Sequence, residues 1–374
     1  MAILSRTDRS LLGRWWWTVD HWSVACVAVL IAAGVLLALA ASPAVAHRIG
    51  LELFYFVYRQ LSFVAPSLLL ILAASLLGPR DVRRFALVLF VAALGLMVLT
   101  LIIGPEIKGA QRWLQLGGFT LEPSEFVKPA FVVLVAAVLA ERNRSPNFPG
   151  TALAFALYVM VVGVLILQPD FGQTLLLTTV CAALFFLAGL RWYWMAAFGS
   201  VAFVGAIGTY FLVPHVASRV DRFVNPEHGD TFQVSTALNA FTQGGLTGVG
   251  PGEGTIKFVL PDAHTDFIVA VAGEEFGLAA CVLLIALFGV IVIRALNRAL
   301  VEKDHFVQLA AAGLAVMFGL QACINMAVNL SLIPAKGMTL PFVSYGGSSM
   351  LALALTAGML LALTRRRPPA APRR

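Results

Sequence analysis

Ten stretches of this 374-residue chain are apolar over roughly the 20 residues that an α-helix needs to cross a hydrocarbon core. They fall at 23–42, 54–77, 85–103, 125–140, 151–167, 172–190, 194–213, 266–293, 307–330 and 342–363. In lipid every main-chain N–H and C=O must be paired internally, so runs of this length select helices. Composition agrees: 60% of residues are hydrophobic, 12% are charged, and the mean hydropathy is +0.88. A soluble domain sits nearer half apolar and a quarter charged. The expected fold is therefore an all-α polytopic membrane protein of about ten transmembrane helices. The fourth run is the least regular, because Glu125, Lys128 and Pro129 crowd its start. Only Gln168-Pro169-Asp170-Phe171 separates the fifth from the sixth.

Alternating the connecting segments places seventeen of the 26 Lys and Arg on the side of the two termini and seven on the other. Positive residues are retained on the cytoplasmic side, so both termini are expected there and the span count is even. Residues 1–22 are then a cytoplasmic N-terminal segment, 23–363 a single membrane domain and 364–374 a basic cytoplasmic tail. The outer face carries a large loop, 214–265, between the seventh and eighth helices, and a shorter one at 104–124. Ala44-Val45-Ala46 resembles a signal-peptidase site, but Trp15-Trp16-Trp17 and Trp22 before the first run read as an interfacial anchor on an uncleaved helix. The net charge of +7 is scattered between apolar runs and excludes nucleic-acid binding. Cys26, Cys181, Cys281 and Cys323 all lie in apolar runs and read as buried hydrophobes.

With so few charges, those at the outer face or inside the spans require a reason. The run Gly244-Gly245-Leu246-Thr247-Gly248-Val249-Gly250-Pro251-Gly252-Glu253-Gly254 allows positive φ and close approach of backbone N–H groups to an anion or sugar, or is simply a flexible loop. Directly after it, Leu260-Pro261-Asp262-Ala263-His264-Thr265-Asp266-Phe267 passes from polar loop into the eighth span. Asp266 is expected in or near the first turn of that helix, at the outer boundary of the span. There it serves either as part of a cap, with Thr265 or Asp262 as N-cap, or as a partly desolvated carboxylate able to take a proton. Glu274 and Glu275 follow deeper in the same span, paired with a neighbouring helix or facing water. Glu125 and Lys128 are three residues apart and share a helix face. They form an ion pair, or Lys128 joins Arg112 in holding a diphosphate. In the ninth span Gln321, Asn325 and Asn329 make an amide stripe, read as hydrogen-bonded helix packing.

Several of these motifs together resemble the SEDS family of bacterial shape, elongation, division and sporulation proteins. They are Gln168-Pro169-Asp170-Phe171-Gly172, Pro123-Ser124-Glu125, the glycine run, Pro261-Asp262-Ala263-His264-Thr265-Asp266-Phe267, Lys336-Gly337-Met338-Thr339-Leu340-Pro341 and Ser344-Tyr345-Gly346-Gly347-Ser348-Ser349. They occur in the family's order over nearly the whole chain. The uninterrupted step from Gly254 to Leu260-Pro261 and the Trp-rich N-terminus favour the division branch over the elongation branch. The resemblance implies a peptidoglycan glycosyltransferase that polymerises lipid II at the outer face of the cytoplasmic membrane, at the division septum, with Asp266 as its catalytic carboxylate. Arg112, Glu125, Lys128, His264, Thr265, Lys336, Ser344 and Tyr345 are the expected substrate-binding residues, with Asp170, Glu274 and Glu275 in support. No cofactor is assigned; a divalent cation on the diphosphate is chemically compatible, but the sequence shows no metal-ligand cluster. Expected partners are lipid II, a class B penicillin-binding protein with other divisome proteins, and membrane lipid. Two positions depart from the family pattern: Asp262 stands where Glu is common, and Ala237 where Ser is common. A lipid II flippase and a non-catalytic scaffold are the rival readings.

Overall fold

The computed structural model describes residues 10–107, 110–145, 147–212, 217–218, 221, 232–334 and 337–366. A short helix, α1 (Leu11–Thr18), precedes α2 (His21–Arg48), α3 (Tyr55–Leu76), α4 (Pro79–Ile103), α5 (Pro123–Arg144), α6 (Gly150–Leu167), α7 (Phe171–Leu187) and α8 (Trp192–Leu212). Further along the chain come α9 (Phe232–Gly244), a 3-10 turn (Ile256–Phe258), α10 (Ile268–Leu300), α11 (His305–Asn329) and α12 (Gly347–Thr364). A helix covers most of each of the ten apolar runs. Among the described residues eight are long and apolar enough to cross a membrane, and Phe171–Leu187 is a shorter apolar helix.

The run that looked weakest as a span is the centre of the molecule. Helix α5 packs against α4, α6, α7, α11 and α12. Its residues from Val127 to Ala136 are almost all fully enclosed. Lipid does not reach this helix, so a charged first turn costs what burial in protein costs and can be compensated by neighbours. Pro123 sits in that first turn, where a missing N–H breaks no bond. The first helix of the membrane domain runs unbroken through Pro43, and Ala44, Val45 and Ala46 are buried within it. Helix α1 is tied to the bundle by the Trp15 indole N–H donating to Ser75 Oγ at 2.8 Å. Cys26, Cys181 and Cys281 are buried as expected, but Cys323 is exposed on the flank of α11.

Two features depart from a plain helical bundle. The outer 104–124 loop holds a small antiparallel hairpin, Leu114–Leu116 with Phe119–Leu121, in which Leu114 faces Leu121. Its turn is Gly117-Gly118, both at positive φ, which is what a two-residue hairpin turn of the right twist requires. The eighth span is also interrupted. Gly277 has φ 71 and ψ −172 inside α10, so the helix comprises a segment ending near Phe276 and a longer one from Leu278 onward. Residues Ile268–Glu275 are all buried, whereas Leu278, Val282, Leu283 and Ile285 are exposed along the flank.

The glycine run closes this break. Val249 and Gly250 N–H donate to the carbonyls of Glu274 and Glu275 (2.9 and 3.1 Å), and Leu278 and Ala279 N–H donate to those of Gly245 and Leu246 (3.0 and 3.3 Å). Groups that the kink would strand are thereby paired from outside the helix, the condition for a broken helix at membrane depth. A Cβ on Gly244 or Gly248 would collide with the main chain of Gly273 or Glu275. The expected positive φ is present at Gly245, Gly248, Gly250 and Gly252, and the run is bolted to the helix rather than loose, with the Gly252 N–H donating to the Glu275 carboxylate.

Candidate active site

Asp266 lies in a turn just before the helix, near its first turn as expected: α10 begins at Ile268 with Phe267 as N-cap. The Thr265, Asp266 and Phe267 amides converge on the Asp262 carbonyl (3.1, 3.1 and 3.4 Å), and Asp262 adopts φ 52 to allow it. Phe267, the N-cap residue, makes no side-chain hydrogen bond to the helix start. Asp266 is half-buried. Its side chain lies over Gly337, where a Cβ would come within 3.3 Å of Oδ2. Any larger residue at 337 would crowd the carboxylate.

The amide stripe joins helices as expected, through Gln321 to Lys128 and Asn329 to Ala270, and also grips the Asp266 turn. Asn325 Nδ2 donates to the carbonyls of Asp266 and Met338 (3.0 and 2.6 Å), and Asn329 Nδ2 donates to that of Asp266 (2.9 Å). Asn329 Oδ1 accepts from the Ala270 N–H at 3.2 Å and so pairs an orphan donor of the helix start. From the other side, Ser344 Oγ donates to the Thr265 carbonyl (2.6 Å) and accepts from the Leu340 N–H (2.8 Å). The Tyr345 N–H donates to the His264 carbonyl at 2.9 Å. The His264 ring packs between Phe56 and Tyr345, with centroids 4.3 and 5.4 Å away. Thr265 Oγ1 donates to the Asp262 carbonyl at 3.2 Å. Expected to bind substrate, Ser344 is 5% exposed and holds the turn that presents Asp266.

A second group surrounds the first turn of α5. Lys128 Nζ donates to Glu125 Oε1 (2.8 Å) and to Gln321 Oε1 (3.0 Å), and Gln173 Nε2 donates to the same Glu125 oxygen at 2.6 Å. Gln321 Nε2 reaches the Thr339 carbonyl at 3.2 Å. The expected pairing of Glu125 with Lys128 is present. A direct grip of Lys128 on an incoming diphosphate is not, because the lysine is 2% exposed and enclosed by α7 and α11.

Beside Lys128, Arg112 is the more accessible cation, its side chain 18% exposed against 2%. It lies just before the hairpin, with its guanidinium 4.7 Å from the Trp113 ring centroid and 3.2 Å from Asp170 Oδ2. Burial disfavours its charge, but the Asp170, Glu122 and Asp266 carboxylates outweigh that and hold the guanidinium above its ordinary value. Asp170 also caps α7 through the Gln173 N–H at 3.3 Å. Arg112, Asp170, Gln173, Glu125, Lys128, Gln321 and the Thr339 main chain thus form one continuous polar path beside the Asp266 turn.

Glu122 was not anticipated. This half-buried residue precedes α5, its N–H donates to Ser348 Oγ at 3.1 Å, and Ser124 Oγ donates to its Oε1 at 3.3 Å. Burial, with the Glu125 and Asp170 carboxylates nearby, pushes its carboxyl up to about 8, against the pull of Arg112 and Lys128. Its spacing of three from Glu125 on one helix entrance was the available signal. Glu274 and Glu275 lie apart from this group. Glu274 accepts from the Thr255, Ile256 and Lys257 amides (2.6, 2.7 and 3.2 Å), while Glu275 accepts from Lys257 Nζ and the Gly252 N–H. They staple the loop rather than support the site. Lys336 and Lys108 lie outside the described residues. Arg59, read as lying inside a span, reaches the Gly118 carbonyl of the outer hairpin at 2.6 Å. Among the described residues no group of three or more His, Cys, Asp and Glu is placed to hold a metal ion.

A helical membrane protein with a presented aspartate, an interrupted eighth span and a buried Glu–Lys pair at one end belongs to a defined class. The profile of the FtsW/RodA/SpoVE cell cycle proteins matches residues 20–368, and the chain belongs to this family, the SEDS proteins. Within it the chain is most like FtsW. It is 50% identical over 367 residues to a Caulobacter vibrioides protein named "Probable peptidoglycan glycosyltransferase FtsW", covering 98% of this chain and 94% of that one. A Trichlorobacter lovleyi protein of the same name is 38% identical over 90% of each. Among solved structures, a chain in a peptidoglycan synthase complex that coordinates polymerization and crosslinking superposes with a TM-score of 0.76 at 30% identity, covering 92% of this chain and 97% of that one. The rod shape determining protein RodA of Thermus thermophilus superposes with a TM-score of 0.68 at 28% identity, over 92% and 96%.

Proposed function

We propose that this chain, a peptidoglycan glycosyltransferase of the family, polymerises lipid II into glycan strands at the outer face of the cytoplasmic membrane during septal wall synthesis. The observation that carries the reading is the presentation of Asp266. Asn325, Asn329 and Ser344 engage the main chain of its turn, and its half-buried carboxylate lies over Gly337. A sugar hydroxyl of the acceptor loses its proton to Asp266 as its oxygen attacks the donor's anomeric carbon. The bond from that carbon to the lipid diphosphate breaks, the diphosphate leaves with the electron pair, and the centre inverts. One base and one electrophile suffice for such a displacement; the paired carboxylic acids of glycoside hydrolysis are not needed. Arg112, exposed at its edge and surrounded by carboxylates, is the cation placed to meet the departing diphosphate. Lys128 acts from beneath, by holding Glu125 and Gln321 in place.

Both termini lie on the cytoplasmic side in this reading, with the site facing outward, and ten helices span the bilayer. A class B penicillin-binding protein supplies crosslinking, in keeping with the synthase complex to which the chain is similar. A flippase would use intramembrane charges as a head-group path. Glu274, Glu275 and Lys257 are committed to one another and to the loop, which disfavours that use. The test is glycan polymerisation by purified protein in detergent, with and without the partner, where flipping has no meaning. Strands from the wild type and none from Asp266→Ala support the reading. Strands from Asp266→Ala, or none from the wild type with its partner, overturn it.

A further inference from the structure

At the far end of the bundle, roughly 27 Å away along the 18 residues of α12, the ends of α10, α11 and α12 enclose a recess of about 220 Å3. That is well above the ~15 Å3 that admits a single water. Arg298, Arg365 and Arg366 line it, with Glu302 as the acid in its wall, and Val307 and Leu363 are buried at its floor. The acids of this end are already committed. Glu302 Oε1 accepts from the Lys303 and Asp304 amides (3.0 and 3.3 Å). Asp304 meets Arg144 at 3.4 Å, and Asp20 pairs with Arg294. Arg365 is fixed by Thr18 Oγ1 and the Ser75 carbonyl (3.0 and 3.1 Å), and burial together with the Arg14 guanidinium lowers its own from the ordinary value. The recess therefore carries three guanidinium groups, Arg298, Arg365 and Arg366, against one carboxylate, Glu302. Its rim is apolar: Val301, which lines it, and the adjacent Leu300 are each 73% exposed.

We propose that this recess binds the phosphate of an anionic phospholipid, with Arg298 and Arg366 meeting the phosphate and Val301 and Leu300 meeting its acyl region. A basic pocket between helix ends at the membrane boundary is suited to such a head group. The apolar rim distinguishes a lipid from a free anion. Assignment to the cytoplasmic leaflet rests on the orientation given above; the phosphate site itself does not.

The test is lipid retention by the purified full chain in a neutral detergent, read by native mass spectrometry, with phosphatidylglycerol, phosphatidylcholine and inorganic phosphate as probes. Phosphatidylglycerol should be retained over phosphatidylcholine, and its retention should fall about fivefold for each arginine removed in Arg298→Gln and Arg366→Gln. Arg298→Lys with Arg366→Lys should keep most of it. Arg80→Gln with Arg84→Gln, the same charge change at exposed positions on another helix, should leave it unchanged. Equal loss in that control pair would reduce the effect to diffuse surface charge and overturn the site. Displacement of the lipid by inorganic phosphate at equal concentration would overturn the lipid as its occupant.

Discussion

Two charged regions of the molecule are built in opposite ways. Around Glu274 and Glu275 both carboxylates are enclosed at 0% and 1% exposure and engaged by Thr255, Ile256, Lys257 and Gly252. Around Arg112 and Glu125 the polar groups outnumber their partners. Among the described residues Glu125 Oε2, Gln173 Oε1 and Arg112 Nε are buried without a hydrogen bond. An orphaned buried polar atom costs on the order of 1–3 kcal/mol, so a native protein keeps several together only where something offsets them. The closed region is structural, holding a helix break shut. The open one is the candidate site, and carboxylate count alone does not distinguish the two.

Breaking the closed region should cost the fold. Lys257→Ala strands Glu275 in the interior, and removing one partner of a buried pair destabilises by about 3–5 kcal/mol. Thermal melting in detergent should show a large drop, with remaining activity falling only in step with folded protein. A loss of polymerisation without a loss of stability would move Lys257 into the site. Arg112→Ala should do the reverse. Polymerisation should fall about a hundredfold, the scale of losing one preorganised electrostatic donor, with little change in melting temperature. Asn325→Ala comes next. It removes the hydrogen bonds to Asp266 and Met338 at about 1 kcal/mol each, and should lower kcat more than it raises KM because the base is displaced.

A pH-dependent effect concerns Glu122, and its sign follows from its raised value. Between the ordinary 4.5 and about 8 the folded protein keeps a proton that the unfolded chain has released. Stability therefore declines as pH rises across that window, and is flat again above it. Glu122→Gln, which mimics the protonated form, should flatten that part of the melting profile. An unchanged slope would remove Glu122 from the account.

Much of the fold was legible in the sequence, because lipid demands about 20 apolar residues per crossing and leaves few alternatives. What escaped was decided by tertiary contacts. The apolar run from Ile268 reads the same whether it faces lipid or protein, so neither the break at Gly277 nor the buried first segment was visible. Lys257 counted as one more outer-loop cation, and only its approach to Glu275 makes it a buried staple. Asp266 was legible through the motif around it, and the Glu125–Lys128 pair through its spacing. The same four-residue spacing made Gln321, Asn325 and Asn329 conspicuous, yet their partners, the Thr339, Met338 and Asp266 carbonyls, lie in loops that no periodicity could bring to them.

The central claim is that Asp266 performs the chemistry while its surroundings only present it. It is tested most directly by assaying lipid II polymerisation and thermal melting on one preparation of Asp266→Asn, beside the wild type and with the penicillin-binding partner present. Loss of a positioned general base is expected to slow the reaction by about 10²–10⁴-fold. The account predicts a wild-type melting temperature with polymer formation reduced to that extent. Glycan strands at the wild-type rate from a folded Asp266→Asn protein would contradict it.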